Sequence, residues 1–126
     1  MREHNEALLE EFLDAYNRHS VDDVMSFFTD DAVFEAPSGT GPSGRQFVGK
    51  EQIRAAVSAR FLSSPDVHWE PEQNLVLGNR GASSWLVSWT DSDGHVTRVR
   101  GCDLFDLRDG KIAKKDSFFK TVVAAP

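Results

Sequence analysis

Cysteine is almost missing from this sequence. Cys102 is the one thiol in 126 residues, which excludes a disulfide framework within the chain and any multi-cysteine zinc site. Histidine is scarce as well. His4, His19, His68 and His95 share no HxxxH or HxH spacing, so no metal site is expected and exposed side chains are the plain account of all four. Positive charge is in deficit: 14 Lys and Arg stand against 20 Asp and Glu, for a net charge of −6. Phosphate recognition needs clustered cations, so neither nucleic acid nor an anionic membrane surface is expected as the main partner. No apolar run approaches the ~18 residues of a membrane span. The opening MREHNEALLEEF is acidic and amphipathic, without the apolar middle of a signal peptide. A reducing, cytoplasmic setting is therefore the expectation.

What the chain does contain fits one domain over residues 1–126. A chain of this length buries roughly two thirds of its surface on folding, and needs no staple to hold a core. Leu8, Leu9, Phe12, Ala15, Tyr16 and His19 recur at helical spacing, which predicts a helix over 3–18. Ser20 with Asp23 forms a capping-box pattern for a second helix over 21–28, burying Val24, Phe27 and Phe28. Residues 32–36 read as a strand stopped by Pro37. The stretch SGTGPSG over 38–44 reads as a flexible loop. Its glycines lack a Walker spacing and a following Lys-Ser/Thr, so a mobile pocket lip is the expectation rather than a phosphate cradle. A third helix is expected over 50–62, with Ile53, Val57 and Phe61 on one stripe.

The remainder reads as strands: short ones over 67–70 and 74–77, with a single strand bent around Pro71 as the alternative, then 83–91, 96–107 and 111–123. The order α-α-β-α-β-β-β-β predicts an α+β domain: a curved, mainly antiparallel sheet with the helices on one face.

One residue breaks the pattern. Successive side chains of a strand point to opposite faces, and the apolar set of the 96–107 strand is Val99, Gly101, Asp103, Phe105 and Leu107. A carboxylate there is costly unless paired, hydrogen-bonded or protonated. Two readings stay open: an Asp satisfied within the core, and a pocket acid placed to meet a ligand's carbonyl or hydroxyl. Its partner depends on the hairpin. A three-residue Arg108-Asp109-Gly110 loop sets Asp103 opposite Lys115, whereas a two-residue Asp-Gly turn sets it opposite Asp116. Like charges face to face are unfavourable, so the first register is expected. It puts Lys115, Ser117, Phe119 and Thr121 on the inner face, and Ile112, Phe118 and Val122 on the outer one.

Asp103 and Lys115 are therefore the candidate catalytic pair, with Lys115 tuning the acid. Phe12, Tyr16, Phe34, Trp85, Trp89, Phe105, Ser117 and Phe119 are the candidate ligand-binding residues, although plain core packing is the simpler account of each aromatic on its own. Cys102 lies on the outer parity without an activating partner and reads as inert.

The stretches FLDAYNRHSVDDVMSFFTDDAVFEAP, FVGKEQIRAAVSARF and RVRGCDLFDLRDGKIAKKDSFFK together resemble the nuclear transport factor 2-like superfamily, and within it the SnoaL-like and ketosteroid-isomerase-like proteins. The resemblance implies a cone: a strongly bent sheet wrapped round the N-terminal helices, a deep apolar pocket, and dimerisation through the outer sheet face. It places Asp103 at the position of the isomerase Asp that donates a hydrogen bond to the substrate oxyanion. The isomerase's general-base position falls on Ala36 and its oxyanion Tyr on Phe12, so the resemblance does not carry that reaction over. What it leaves is a SnoaL-like pocket protein for a small apolar carbonyl or hydroxyl compound. Such a protein is either a cofactor-independent enzyme of isomerase, cyclase, dehydratase or hydrolase type, or a non-catalytic hydrophobic-ligand-binding module. A third possibility is an interior simply filled by aromatics.

Overall fold

The computed structural model describes residues 2–123, with side chains from His4 onwards. Three helices, α1 (Arg2–Asn17), α2 (Val21–Ser26) and α3 (Lys50–Ser63), accompany six strands: β1 (Phe28–Glu35), β2 (Gln46–Val48), β3 (His68–Leu77), β4 (Arg80–Thr90), β5 (Val96–Arg108) and β6 (Lys111–Phe119). The strands form one sheet in the order β2-β1-β6-β5-β4-β3. Every neighbouring pair is antiparallel except β1 with β6, which is parallel. This is the expected α+β cone. The helices fill the concave face and α1 lies against β3.

The apolar stripe of α1 does what its spacing predicts. Leu8, Leu9, Phe12, Ala15 and Tyr16 are all buried. Phe12 sits at the centre of the core, edge-to-face with Tyr16, Phe27, Phe28 and Phe105 at 5.1, 5.6, 5.4 and 5.8 Å between centroids. Each such pair adds about 0.5–1.5 kcal/mol beyond its buried area. Ser20 caps α2 by accepting from the Asp23 amide at 3.3 Å. The helix then ends at Ser26 rather than reaching Phe28. Phe28 opens β1 instead and is wholly buried, because the adjacent Asp30 and Asp31 offer no apolar face for another helical turn. The short strand β2, not anticipated, pairs its three residues with 33–35 of β1. β3 runs unbroken past Pro71, with a register irregularity between Pro71 and Gln73 on this edge strand, the kind of place where proline is tolerated.

The last hairpin corrects the expected register. The turn is the two-residue Asp109-Gly110, with φ of 53° and 75°, both left-handed as a type I′ turn requires. Arg108 therefore faces Lys111 and Leu107 faces Ile112. A register shift between Asp106 and Leu107 leaves Ala113 unpaired, after which Asp106 faces Lys114, Phe105 faces Lys115 and Asp103 faces Ser117. The inserted residue spares Asp103 an Asp116 partner, which the turn alone would have imposed. It also splits the strand's parity. Ile112, expected on the outer face, is fully buried, while Lys115 and Ser117 are buried as expected. β6 stops at Phe119, so Thr121 lies beyond the strand and is exposed.

Candidate functional site

Between the sheet, α1 and α3 lies a cavity of about 680 Å³, within the size range of small-molecule sites. The strands supply Phe34, Phe47, Trp69, Trp85, Val87, Lys115, Ser117 and Phe119; α1 supplies Tyr16. The 36–45 segment adds Ala36, Pro37, Ser38 and Arg45, and α3 adds Ala55, Ala56, Val57, Ala59, Arg60 and Ser63. Along α3 the space is bordered by the short side chains of Ala55, Ala56 and Ala59, of which Ala55 and Ala59 are exposed, so the cavity opens to solvent beside this helix.

Of the sequence-predicted site residues, Tyr16, Phe34, Trp85, Lys115, Ser117 and Phe119 meet at this cavity. Phe12 and Phe105 do not; both are spent in the aromatic core behind it. Trp89 also stands off the wall, packed against Phe119 at 5.9 Å and covered by the Arg60 guanidinium at 4.7 Å. Asp103 lies one layer deeper, 4% exposed and absent from the lining.

The strand register puts Asp103 between Ser83 of β4 and Ser117 of β6. Its Oδ2 accepts from the Trp85 indole Nε1–H at 3.1 Å, and its Oδ1 accepts from the Ser117 hydroxyl at 2.5 Å. The Lys115 ammonium donates to Ser117 Oγ at 2.7 Å and lies 3.3 Å from Asp103 Oδ1. Ser117 thus relays between cation and carboxylate, a bridging role the sequence did not suggest. No buried side-chain polar atom is left unpartnered among the described residues.

Lys115 sits in an aromatic box, with its Nζ 4.4 Å from the Phe34 ring centroid and 5.2 Å from that of Tyr16. Burial alone would strip its proton. The Asp103 carboxylate and Tyr16 together more than offset it, and the lysine is held above its usual range. Burial also pushes the Tyr16 phenol up, against the pull of Lys115, so it stays protonated at neutral pH. An ammonium has three donors. They serve Ser117, Asp103 and the Tyr16 oxygen, so the donor left at the cavity is the Tyr16 O–H, which the ammonium polarises.

Glu35, next to the Ala36 position, is buried but not in the wall. Its carboxylate accepts from Gln46 at 2.6 Å and pairs with Lys114 at 3.1 Å, and these partners, Gln46 foremost, hold it below the usual range. Burial raises the Cys102 thiol, helped by Asp103 and Asp116. In the β4–β5 turn, Asp91, Asp93 and His95 bring ligand atoms within 4.8 Å of one another. All three are exposed, and Asp91 Oδ1 already accepts the turn amides of Asp93 and His95.

A bent six-stranded sheet closed over N-terminal helices around a cavity defines the nuclear transport factor 2-like class. Within it, the SnoaL-like domain family matches residues 9–115, and the chain belongs to that family. Solved structures with this fold include Bal32a from a soil-derived mobile gene cassette, at 17% identity and TM-score 0.83 over 94% of this chain and 90% of that one. TerC, co-crystallised with polyporic acid, aligns at 16% identity and TM-score 0.82 over 93% of this chain and 92% of that one. A protein of unknown function from Mesorhizobium loti, described as NTF2-like, aligns at 22% identity and TM-score 0.79 over 95% and 93%. No curated protein sequence matches the chain significantly. No helix among the described residues is long and apolar enough to cross a membrane.

Proposed function

We propose that the chain binds a small, largely apolar compound inside this cavity, with a carbonyl or hydroxyl oxygen of the ligand accepting from the Tyr16 hydroxyl, which the Lys115 ammonium polarises. The observation that carries the reading is a buried ammonium hydrogen-bonded to a phenol in a wall otherwise rich in aromatics and alanines. Asp103 is then a positioning residue, holding Lys115 charged and aimed, and Ser117 is the link between them. The capture of a neutral ligand is checked with 2-acetylnaphthalene and its near-isostere 2-ethylnaphthalene. A double variant, Asp103→Leu with Lys115→Met, removes both buried charges together. It should bind the ketone about tenfold more weakly, because the Tyr16 hydroxyl then donates without the neighbouring charge that strengthens its hydrogen bond, and the hydrocarbon unchanged. Equal loss for both, or no binding of either by the wild type, overturns the assignment.

A second reading, a cofactor-independent enzyme of isomerase, cyclase, dehydratase or hydrolase type, draws on the same pair, since a phenol polarised by a buried ammonium stabilises an oxyanion. Against proton abstraction stands the wall itself, which among the described residues holds no carboxylate and no imidazole. Ala36 in the wall and Phe12 in the core likewise supply neither a base nor a hydroxyl for steroid isomerisation. The distinction is read by proton NMR in D₂O. Loss of the acetyl methyl signal of 2-acetylnaphthalene above the buffer rate, and not in Lys115→Met, marks the enzyme; binding without exchange marks the module.

A homodimer through the outer sheet face completes the proposal. Leu104 and Phe118 are exposed there at 40% and 48%, on neighbouring strands β5 and β6, among Lys114, Asp116 and Arg100. Such a mixed face suits a self-complementary contact. Phe118→Asp should convert a dimer to a monomer in sedimentation velocity without lowering the cavity's affinity for 2-acetylnaphthalene. A wild type that sediments as a monomer at tens of micromolar removes the claim.

A further inference from the structure

The cavity carries more positive charge than an apolar ligand needs. Asp103 and Lys115 neutralise each other, but Arg45 and Arg60 also line the space. Five arginines elsewhere, Arg18, Arg54, Arg80, Arg100 and Arg108, each meet a carboxylate, while Arg98 meets none among the described residues. Arg45 and Arg60 meet none among the described residues, and of the remaining arginines Arg98 lies away from the cavity.

Both guanidiniums are nonetheless held in place. Arg45 stacks over Phe47 at 4.9 Å, and Phe47 stacks in turn on Phe34 at 5.6 Å. Arg60 stacks over Trp89 at 4.7 Å and donates to Ser64 Oγ at 3.2 Å. An aromatic platform fixes the plane of the guanidinium and leaves its edge donors free, which preorganises it for a planar anion. The burial gradient runs inwards from exposed Arg45 through half-buried Arg60 to buried Lys115, so the unpaired charge lies on the solvent side. A chain of net charge −6 keeps two uncompensated cations at this cavity.

We infer that the ligand is an amphiphilic organic anion: an apolar, aromatic-sized body for the cavity and a carboxylate or similarly delocalised anionic group for Arg45 and Arg60. The inference rests on the cavity being the binding site, as proposed above, and adds the charge of its occupant. A neutral ligand would leave the half-buried Arg60 guanidinium against an apolar body with no acceptor, which is unfavourable for partly desolvated charge, and would leave the exposed Arg45 guanidinium without a counter-charge.

The test uses two fluorescent probes of one skeleton: 8-anilino-1-naphthalenesulfonate, which is anionic, and N-phenyl-1-naphthylamine, which is neutral. Titrations in low salt compare the wild type with Arg45→Gln, Arg60→Gln and the cavity-filling Ala56→Trp. The sulfonate should bind the wild type at least tenfold more tightly than the amine. Each Arg→Gln change should weaken the sulfonate about tenfold and leave the amine within twofold; Ala56→Trp should abolish both. Arg45 is exposed, so its variant folds even where Arg60→Gln disturbs the Trp89 stack. Equal affinities for the two probes, or arginine variants that leave the sulfonate unchanged while Ala56→Trp still blocks the amine, overturn the inference alone. An Ala56→Trp protein that binds the amine as well as the wild type overturns the cavity reading itself.

Discussion

Asp103→Asn is expected to lower stability at pH 7 by about 3–5 kcal/mol, the range for removing one partner of a buried ion pair. At this chain length that corresponds to a loss of about 10–20 °C in Tm. The amide keeps the size of the carboxylate and can still accept from the Trp85 indole or the Ser117 hydroxyl, so packing is not what changes. What changes is Lys115, left as a buried cation without a counter-charge. In the wild type its pKa is raised in the folded state. That contribution is therefore complete below the unfolded lysine value of about 10.4 and fades only as pH rises through the folded value. In the variant the sign reverses: burial, the largest influence on this lysine and now opposed by Tyr16 alone, pushes the folded value below the unfolded one. Between neutrality and pH 10 the unfolded state then binds more protons than the folded state, so stability climbs with pH. Urea denaturation at pH 7 and pH 9.5 should show Asp103→Asn gaining stability at the higher pH while the wild type does not. Asp103→Leu with Lys115→Met should recover most of the wild-type stability, because it leaves no orphaned charge. A single variant as stable as the wild type at pH 7, or insensitive to pH, would refute the ion-pair account.

The same residues mark where the sequence was legible and where it was not. Strand parity alone identified Asp103, since a carboxylate among Val99, Gly101, Phe105 and Leu107 has no surface account. The aromatic spacing of α1 located its buried face. Turn chemistry and charge repulsion then gave conflicting instructions for the last hairpin: Asp109-Gly110 is a two-residue turn by its residues, but that register alone opposes Asp103 to Asp116. Both demands are met by a bulge at Ala113, and nothing in an alanine announces a bulge. Phe12, Phe105 and Trp89 were misplaced for a different reason. Period tells which side chains point inwards, but not which of those reach a cavity and which fill the layer behind it. Arg45 and Arg60 went unnoticed because each sits in a segment that reads as polar surface; the available signal was the alanine-rich α3, whose small side chains leave the space that Arg60 borders.

Gly101→Ala is the other change with a large expected effect, and the reason is space rather than backbone freedom. A Cβ at this position would lie 2.4 Å from the Phe118 carbonyl oxygen, 2.6 Å from Trp85 Cζ3 and 2.7 Å from Phe119 Cβ. Two of these neighbours are strand backbone or its first side-chain atom, which cannot swing aside without parting β5 from β6, where Gly101 faces Phe119. The third is the indole that faces Gly101 across β4 and donates to Asp103. Overpacking of this kind costs about 1–3 kcal/mol, and more where backbone must move. The upper end is expected here, a loss of about 10 °C in Tm. The displaced Trp85 also frees one oxygen of Asp103, so the damage reaches the Lys115 network through a residue that touches no ligand. Gly101→Ala should therefore weaken 2-acetylnaphthalene more than 2-ethylnaphthalene and alter the near-ultraviolet circular dichroism of the tryptophans. Gly94→Ala, at an open turn with nothing within 4 Å of the added methyl, should affect neither probe; its φ of +82° limits its stability cost to backbone strain of about 1 kcal/mol. A Gly101→Ala protein with wild-type Tm and unchanged selectivity between the two naphthalenes would show that β5 and β6 are not held against Trp85 as tightly as this geometry requires.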